Sequence, residues 1–100
     1  MSQLFAKKKY SLALMSLVAP GDIHSRVAAA LCMHLLHIDE ESDFVEPAKS
    51  SHSELIKSLG IENPHAAHVR EKINAMSEVE VEKVAQHIVA TYEKVVSNQG

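Results

Sequence analysis

Residues Val27 to Ile38, VAAALCMHLLHI, contain no Asp, Glu, Lys or Arg, and every residue in the run that is not His is apolar. Few features constrain a short chain more. Asp22 stands ahead of the run as an N-cap whose carboxylate can accept from the first free backbone amides. Wound as a helix, Val27, Ala28, Leu31, Cys32, Leu35, Leu36 and Ile38 cover slightly more than half the circumference. Arg26, Ala30, Met33, His34 and His37 fall on the rest. A helix that apolar must be enclosed by other helices. The expected fold is therefore all-α: a compact bundle of about five helices around a central apolar helix at about residues 23–37.

The remaining chain supplies the other four helices. Residues 3–18 repeat Tyr10, Ala13, Leu14 and Leu17 at helical spacing, and Pro20-Gly21 turns the chain. The acidic stretch Asp39 to Glu46 reads as a loop, with Phe44 and Val45 tucked against the bundle. Counted from Asp39, it holds Phe44 and Ser50 where a calcium loop needs Gly and Glu. Ser51 and Glu54 have capping-box spacing, although Pro47 would also serve in a first turn. Leu55, Ile56 and Leu59 face inward, and Gly60 closes that helix at C′. Asn63-Pro64 opens the fourth helix as N-cap and N1, with Ala66, Val69, Ile73 and Met76 inside. A second capping box, Ser77 and Glu80, starts the last helix. Its inner face is Val81, Val84, Ala85, Ile88, Tyr92 and Val95.

With 46% apolar residues, residues 1–100 make one domain, burying roughly two-thirds of the unfolded surface. Lys7–Lys9 followed by Tyr10–Ala19 imitate a signal peptide, but Pro20 and Gly21 replace the small-x-small cleavage pattern. Neither apolar run is long enough to span a bilayer. One cysteine, Cys32, makes no intramolecular disulfide and fits a reducing compartment, so a cytoplasmic protein without a membrane partner is expected. Residues 1–38 carry a net +3 and residues 39–100 a net −6, which makes up the total of −3. A general nucleic-acid footprint is not expected from that balance.

Seven histidines are the compositional oddity. His34/His37 and His65/His68 are spaced i,i+3, which places each pair on one helix face, a geometry usable by a divalent metal. The metal reading rests on His34 and His37, with a third ligand to come by tertiary contact from Asp39, Glu40, Glu41 or Glu71. His52, flanked by Ser51 and Ser53, has no glycine-rich loop, nucleophile elbow or metal motif to accompany it. Capping accounts for the serines, so no enzyme and no cofactor are expected.

The stretch LIKSLGIENPHAAHVREKI, Leu55 to Ile73, resembles the helix-turn-helix of DNA-binding repressors, over about a fifth of the chain. Gly60 supplies the tight turn, and Ala66 and Val69 take the inward positions. The resemblance implies a regulator using residues 55–76, with His65, His68, Arg70 and Lys72 on the reading helix. Ile56 stands where a small residue usually lets the two helices approach.

The leading expectation is a non-catalytic helical protein acting by protein–protein interaction. A homodimer is its simplest form, with Ala30, Met33, His34 and His37 at the seam. DNA binding through residues 55–76 and metal binding through His34 and His37 are the alternatives.

Overall fold

A computed structural model describes residues 4–38, 44, 46–60 and 65–97. Among them are five α-helices and one short 3-10 turn, arranged as an all-α bundle. The helices are α1 (Leu4–Leu17), α2 (Ile23–Met33), α3 (Ala48–Lys57), α4 (Ala66–Ala75) and α5 (Glu78–Ser97), with the 3-10 turn at Leu35–His37 between α2 and α3.

Leu, Ala, Lys and Met, which lose little freedom in a helix, dominate α1. It buries Ala6, Tyr10, Ala13 and Leu17, a stripe spaced 4-3-4. Its last turn tightens, with Val18 N–H donating to the Met15 carbonyl and Ala19 N–H to that of Ser16. The Arg26 guanidinium then reaches back to cap the exposed end, donating to the Leu17 and Gly21 carbonyls at 2.7 and 3.0 Å. Gly21 reverses the chain at φ 124°, where a Cβ would be strained. Asp22 caps α2 as expected, its Oδ1 accepting from the Ser25 N–H at 2.8 Å. That bond also holds the Asp22 carboxyl below its ordinary range.

α2 is the centre of the bundle. It packs against α1, α4 and α5, while α3 packs against α5. Val27, Ala28, Ala30, Leu31 and Cys32 are buried on it. It is shorter than the expected 23–37 helix: regular winding stops at Met33, and His34 leaves it at φ −127°, ψ −55°. The tighter 3-10 turn that follows keeps Leu35 and Ile38 in the core.

Of the two starts the sequence allows for α3, the structure takes the one at Pro47, so Ser51 lies inside the helix and is not its cap. His65 is extended at φ −135°, ψ 168°, so α4 starts at Ala66 rather than at Asn63-Pro64, which lie outside the described residues. Ala66 is consequently exposed, whereas Val69 and Ile73 are buried and Met76 partly so. The Ser77–Glu80 capping box forms reciprocally, at 2.9 and 3.2 Å. Gly60 has φ 70°, the left-handed conformation expected past a helix end. Phe44 is buried as read from the sequence, and Val45 is outside the described residues.

Leu31 is fully enclosed at the crossing of these helices. Leu31→Ala should cost about 2–5 kcal/mol in urea unfolding, the range for a large side chain deleted from a rigid core. Met15→Ala, on the open side of α1, should change stability by less than about 0.5 kcal/mol.

Candidate functional site

The outer side of α1 is where this fold leaves apolar surface uncovered. Leu4 is 64% exposed, Met15 66% and Val18 82%, and Phe5 is 44% exposed on the flank. Lys8 is exposed and Ser11 half-buried along the same line. Leu4, Lys8, Ser11, Met15 and Val18 are spaced 4-3-4-3 and lie within about 40° of one line along the helix. They stand opposite the buried stripe. α1 is thus apolar on both sides, with lysines only near its start.

Lys9 sits over the Phe5 ring, with Nζ 5.4 Å from the centroid. It also bears on His34, whose pKa is lowered by partial burial first, then by Lys9 and His37. His34 therefore lies near Lys9 of α1, and the 3-10 turn that holds His37 packs on the same helix; Met33 and His37 are exposed and His34 is half-buried. Ala30, placed at a subunit seam from the sequence, is instead wholly buried in the chain's own core, because α2 is enclosed on that side too. At the far end of α1, Leu17 and Ile23 meet Ala85, Val89 and Ala90 of α5 around an open cleft of about 470 Å³, edged by Gln86 and Glu93.

The break after Met33 also affects the metal reading. His34 and His37 do not share one α-helical face, since His34 is non-helical and His37 lies in the 3-10 turn. Among the described residues, no group of three or more His, Cys, Asp or Glu converges on a metal-sized site. Asp39, Glu40 and Glu41 lie outside those residues.

His65, His68, Arg70 and Lys72 are all exposed on α4. The two imidazoles stack with centroids 4.0 Å apart. The Lys72 ammonium lies over the turn, 3.6 Å from where a Cβ on Gly60 would be. Among the described residues, the main packing of α3 is on α5 and that of α4 is on α2. Ala66, assigned to the locking position, faces solvent.

The least anticipated feature is a buried polar seam between α1, α3 and α5. His52 is almost completely enclosed, stacked on Phe44 at 4.7 Å and edge-on to Tyr10 at 5.7 Å. Its Nδ1 shares a 2.6 Å hydrogen bond with the Tyr10 hydroxyl. One turn along, His87 Nε2–H donates to the Ser51 carbonyl at 3.0 Å. The Thr91 hydroxyl donates to the His87 carbonyl at 2.9 Å, so its one proton is used. The Ser51 hydroxyl must then donate to Thr91 Oγ1. The Ser50 hydroxyl donates to Glu46. Ser51 thus ties α3 to α5 and Ser50 bonds at the start of its own helix, while the bond given to the His52 ring comes from Tyr10.

Cys32 is buried, its thiol donating to the Ala66 carbonyl at 3.5 Å. Burial raises its pKa, with Arg70 acting weakly in the other direction. Among the described residues no helix is long and apolar enough to cross a membrane. No family model, curated protein or solved structure matches this chain.

Burial, assisted by His87, lowers the His52 pKa from 6.5 to about 4. Above pH 6.5 the imidazole is neutral in both folded and unfolded chains, and stability does not depend on it. Below 6.5 only the unfolded chain takes the proton, so stability falls as the pH drops toward 4. The slope is up to about 1.4 kcal/mol per pH unit, about 3 kcal/mol in all. His52→Asn, which keeps an acceptor near Nδ1, should show a shallower decline over that interval in urea titrations. Equal slopes in the two proteins would remove His52 as the source.

Proposed function

We propose that this protein is a non-catalytic helical module that acts by binding protein, itself or another chain, through the outer face of α1. One observation carries the reading: Leu4 and Met15 of α1, and Val18 in the turn that follows it, are each more than three-fifths exposed on the side away from the core. Side chains of this kind scattered singly are ordinary, but aligned over four turns they mark a surface meant to be covered. Phe5 and the half-buried Leu12 widen the face on one side. Met15 adds an adaptable, polarizable contact suited to a packed interface. A lone, enclosed thiol supports a reducing compartment, and we place the protein in the cytoplasm.

The nucleic-acid alternative retains the exposed basic side chains of α4, but Ala66, which the motif needs on the inner side, is exposed. It is the weaker reading.

Replacing Leu4, Met15 and Val18 together by Ser tests the proposal. If the face is free in the folded monomer, the melting temperature should stay within about 5 °C of the parent, since about 1 kcal/mol shifts a domain of this size by 4–8 °C. Association, followed by sedimentation at high protein concentration, should disappear. At low protein concentration, where association adds nothing to stability, a larger drop in melting temperature would show that the face is packed within the monomer, and the reading would fail.

A further inference from the structure

The cleft at the far end of α1 is a feature that the outer face of that helix does not use. Its floor is apolar: Leu17 closes α1, Ile23 opens α2, and Ala85, Val89 and Ala90 come from α5. Two of the three α5 residues are Ala, whose short side chains leave about 470 Å³ open beside the helix. Gln86 and Glu93 stand at the rim, and no Lys, Arg or His is among the described residues that line it. The rim continues along α5. Glu82, Gln86, Val89 and Glu93 are all exposed, are spaced 4-3-4, and lie within about 30° of one line. Among the described residues neither Glu82 nor Glu93 is in an ion pair. Lys83, next to Glu82 in sequence, borders a different cleft with Ser58 and Met76.

We propose that this cleft is a second protein-binding site, and that its occupant is a basic amphipathic helix of another protein laid along α5. An apolar floor inside a polar rim is the layout that concentrates binding in a few anchoring side chains. Large apolar side chains of the partner fill the floor, and a cation meets each carboxylate. Geometry sets the spacing. Glu82 and Glu93 are eleven residues apart. That is about 16 Å along the helix, so a partner helix running alongside carries its two cations about eleven residues apart. The floor lies between them, which puts two apolar residues, one turn apart, in the middle of the partner.

Other occupants fit less well. The cleft is open along one side, whereas a small-molecule site encloses about 70–90% of its ligand. The rim carboxylates repel nucleic acid and anionic lipid. In a second copy the cationic helix is α1, with Lys7, Lys8 and Lys9. Docked on α5, it would make a head-to-tail contact, which continues into a ring or filament. A partner resting on three turns of helix buries less than a standard interface, so the complex is weak and transient. Its charges sit at the rim, which makes it sensitive to salt.

The probe is an alanine-based helical peptide of about five turns, with two arginines about eleven residues apart on one face and two leucines between them. Titrated into the full chain at low salt, it should shift the amides of Ile23, Ala85, Val89 and Ala90 and leave α4 unchanged. Replacing its leucines by alanine should abolish binding. Glu82→Lys combined with Glu93→Lys, both at exposed positions, should weaken binding about ten-fold or more. The melting temperature should stay within about 5 °C of the parent. A peptide with glutamates in place of the arginines should restore binding to that variant.

Binding that survives loss of the leucines or reversal of the two carboxylates would be unspecific attraction and would overturn the proposal. So would shifts centred elsewhere, or no binding at millimolar peptide. Shifts on α5 that appear when the protein alone is concentrated would make a second copy the occupant, and would overturn it too. All of these results leave the reading of α1 intact, since that reading is tested through Leu4, Met15 and Val18.

Discussion

The structure depends on the enclosure of α2. Its alanines, Ala28 and Ala30, bring neighbouring backbones close, and Val27 and Leu31 fill the space between them. α1, α4 and α5 all rest on this one helix, so burying it orders most of the chain at once. The arrangement leaves α1 in an unusual position. One side of it is needed to cover α2, and nothing among the described residues covers the other. The exposed row at Leu4, Met15 and Val18 is what the described helices leave uncovered.

A second set of interactions attaches α3, whose main packing is on α5. Its contact with α5 is partly polar, through Ser51, Thr91 and His87, and its contact with α1 runs through Tyr10 and His52. Buried polar groups stabilise little in net terms when paired and cost a great deal when unpaired. Their effect here is directional, because each hydroxyl and imidazole has one partner position that satisfies it. Tyr10 is central to this: its ring helps to seal His52 and its hydroxyl holds the imidazole. Protonating His52 would set a charge in that seal, so α3 should be the part of the fold most sensitive to acid.

Much of the architecture was legible in local pattern. Asp22, the Ser77–Glu80 box and the helical spacing of Val81, Val84, Ile88 and Val95 each carry their own physical cause within a few residues. What was not legible needed partners from far along the chain. Ser51 and Glu54 have the spacing of a cap, but Ser51 is a helix-interior residue bonded to Thr91, forty positions away. Thr91 was missed for the same reason, since a polar residue on a buried stripe is recognisable only once its partner is known. The break at His34 has no proline or glycine to announce it. Ala30 was assigned outward because one face of α2 was expected to remain open, and helices on several sides close it. The surface proposed for binding was half visible. The apolar circumference of residues 10–19 pointed to association, but the seam was placed on α2 because a periodic pattern does not say which of two apolar helices will be enclosed.

The account stands on the claim that the outer row of α1 is where this protein meets its partner. Amide spectra recorded from micromolar to millimolar protein test it most directly. Concentration-dependent shifts should concentrate at Leu4, Lys8, Ser11, Met15 and Val18, with α4 unchanged. Shifts confined to α4, around His65, His68 and Arg70, would contradict it.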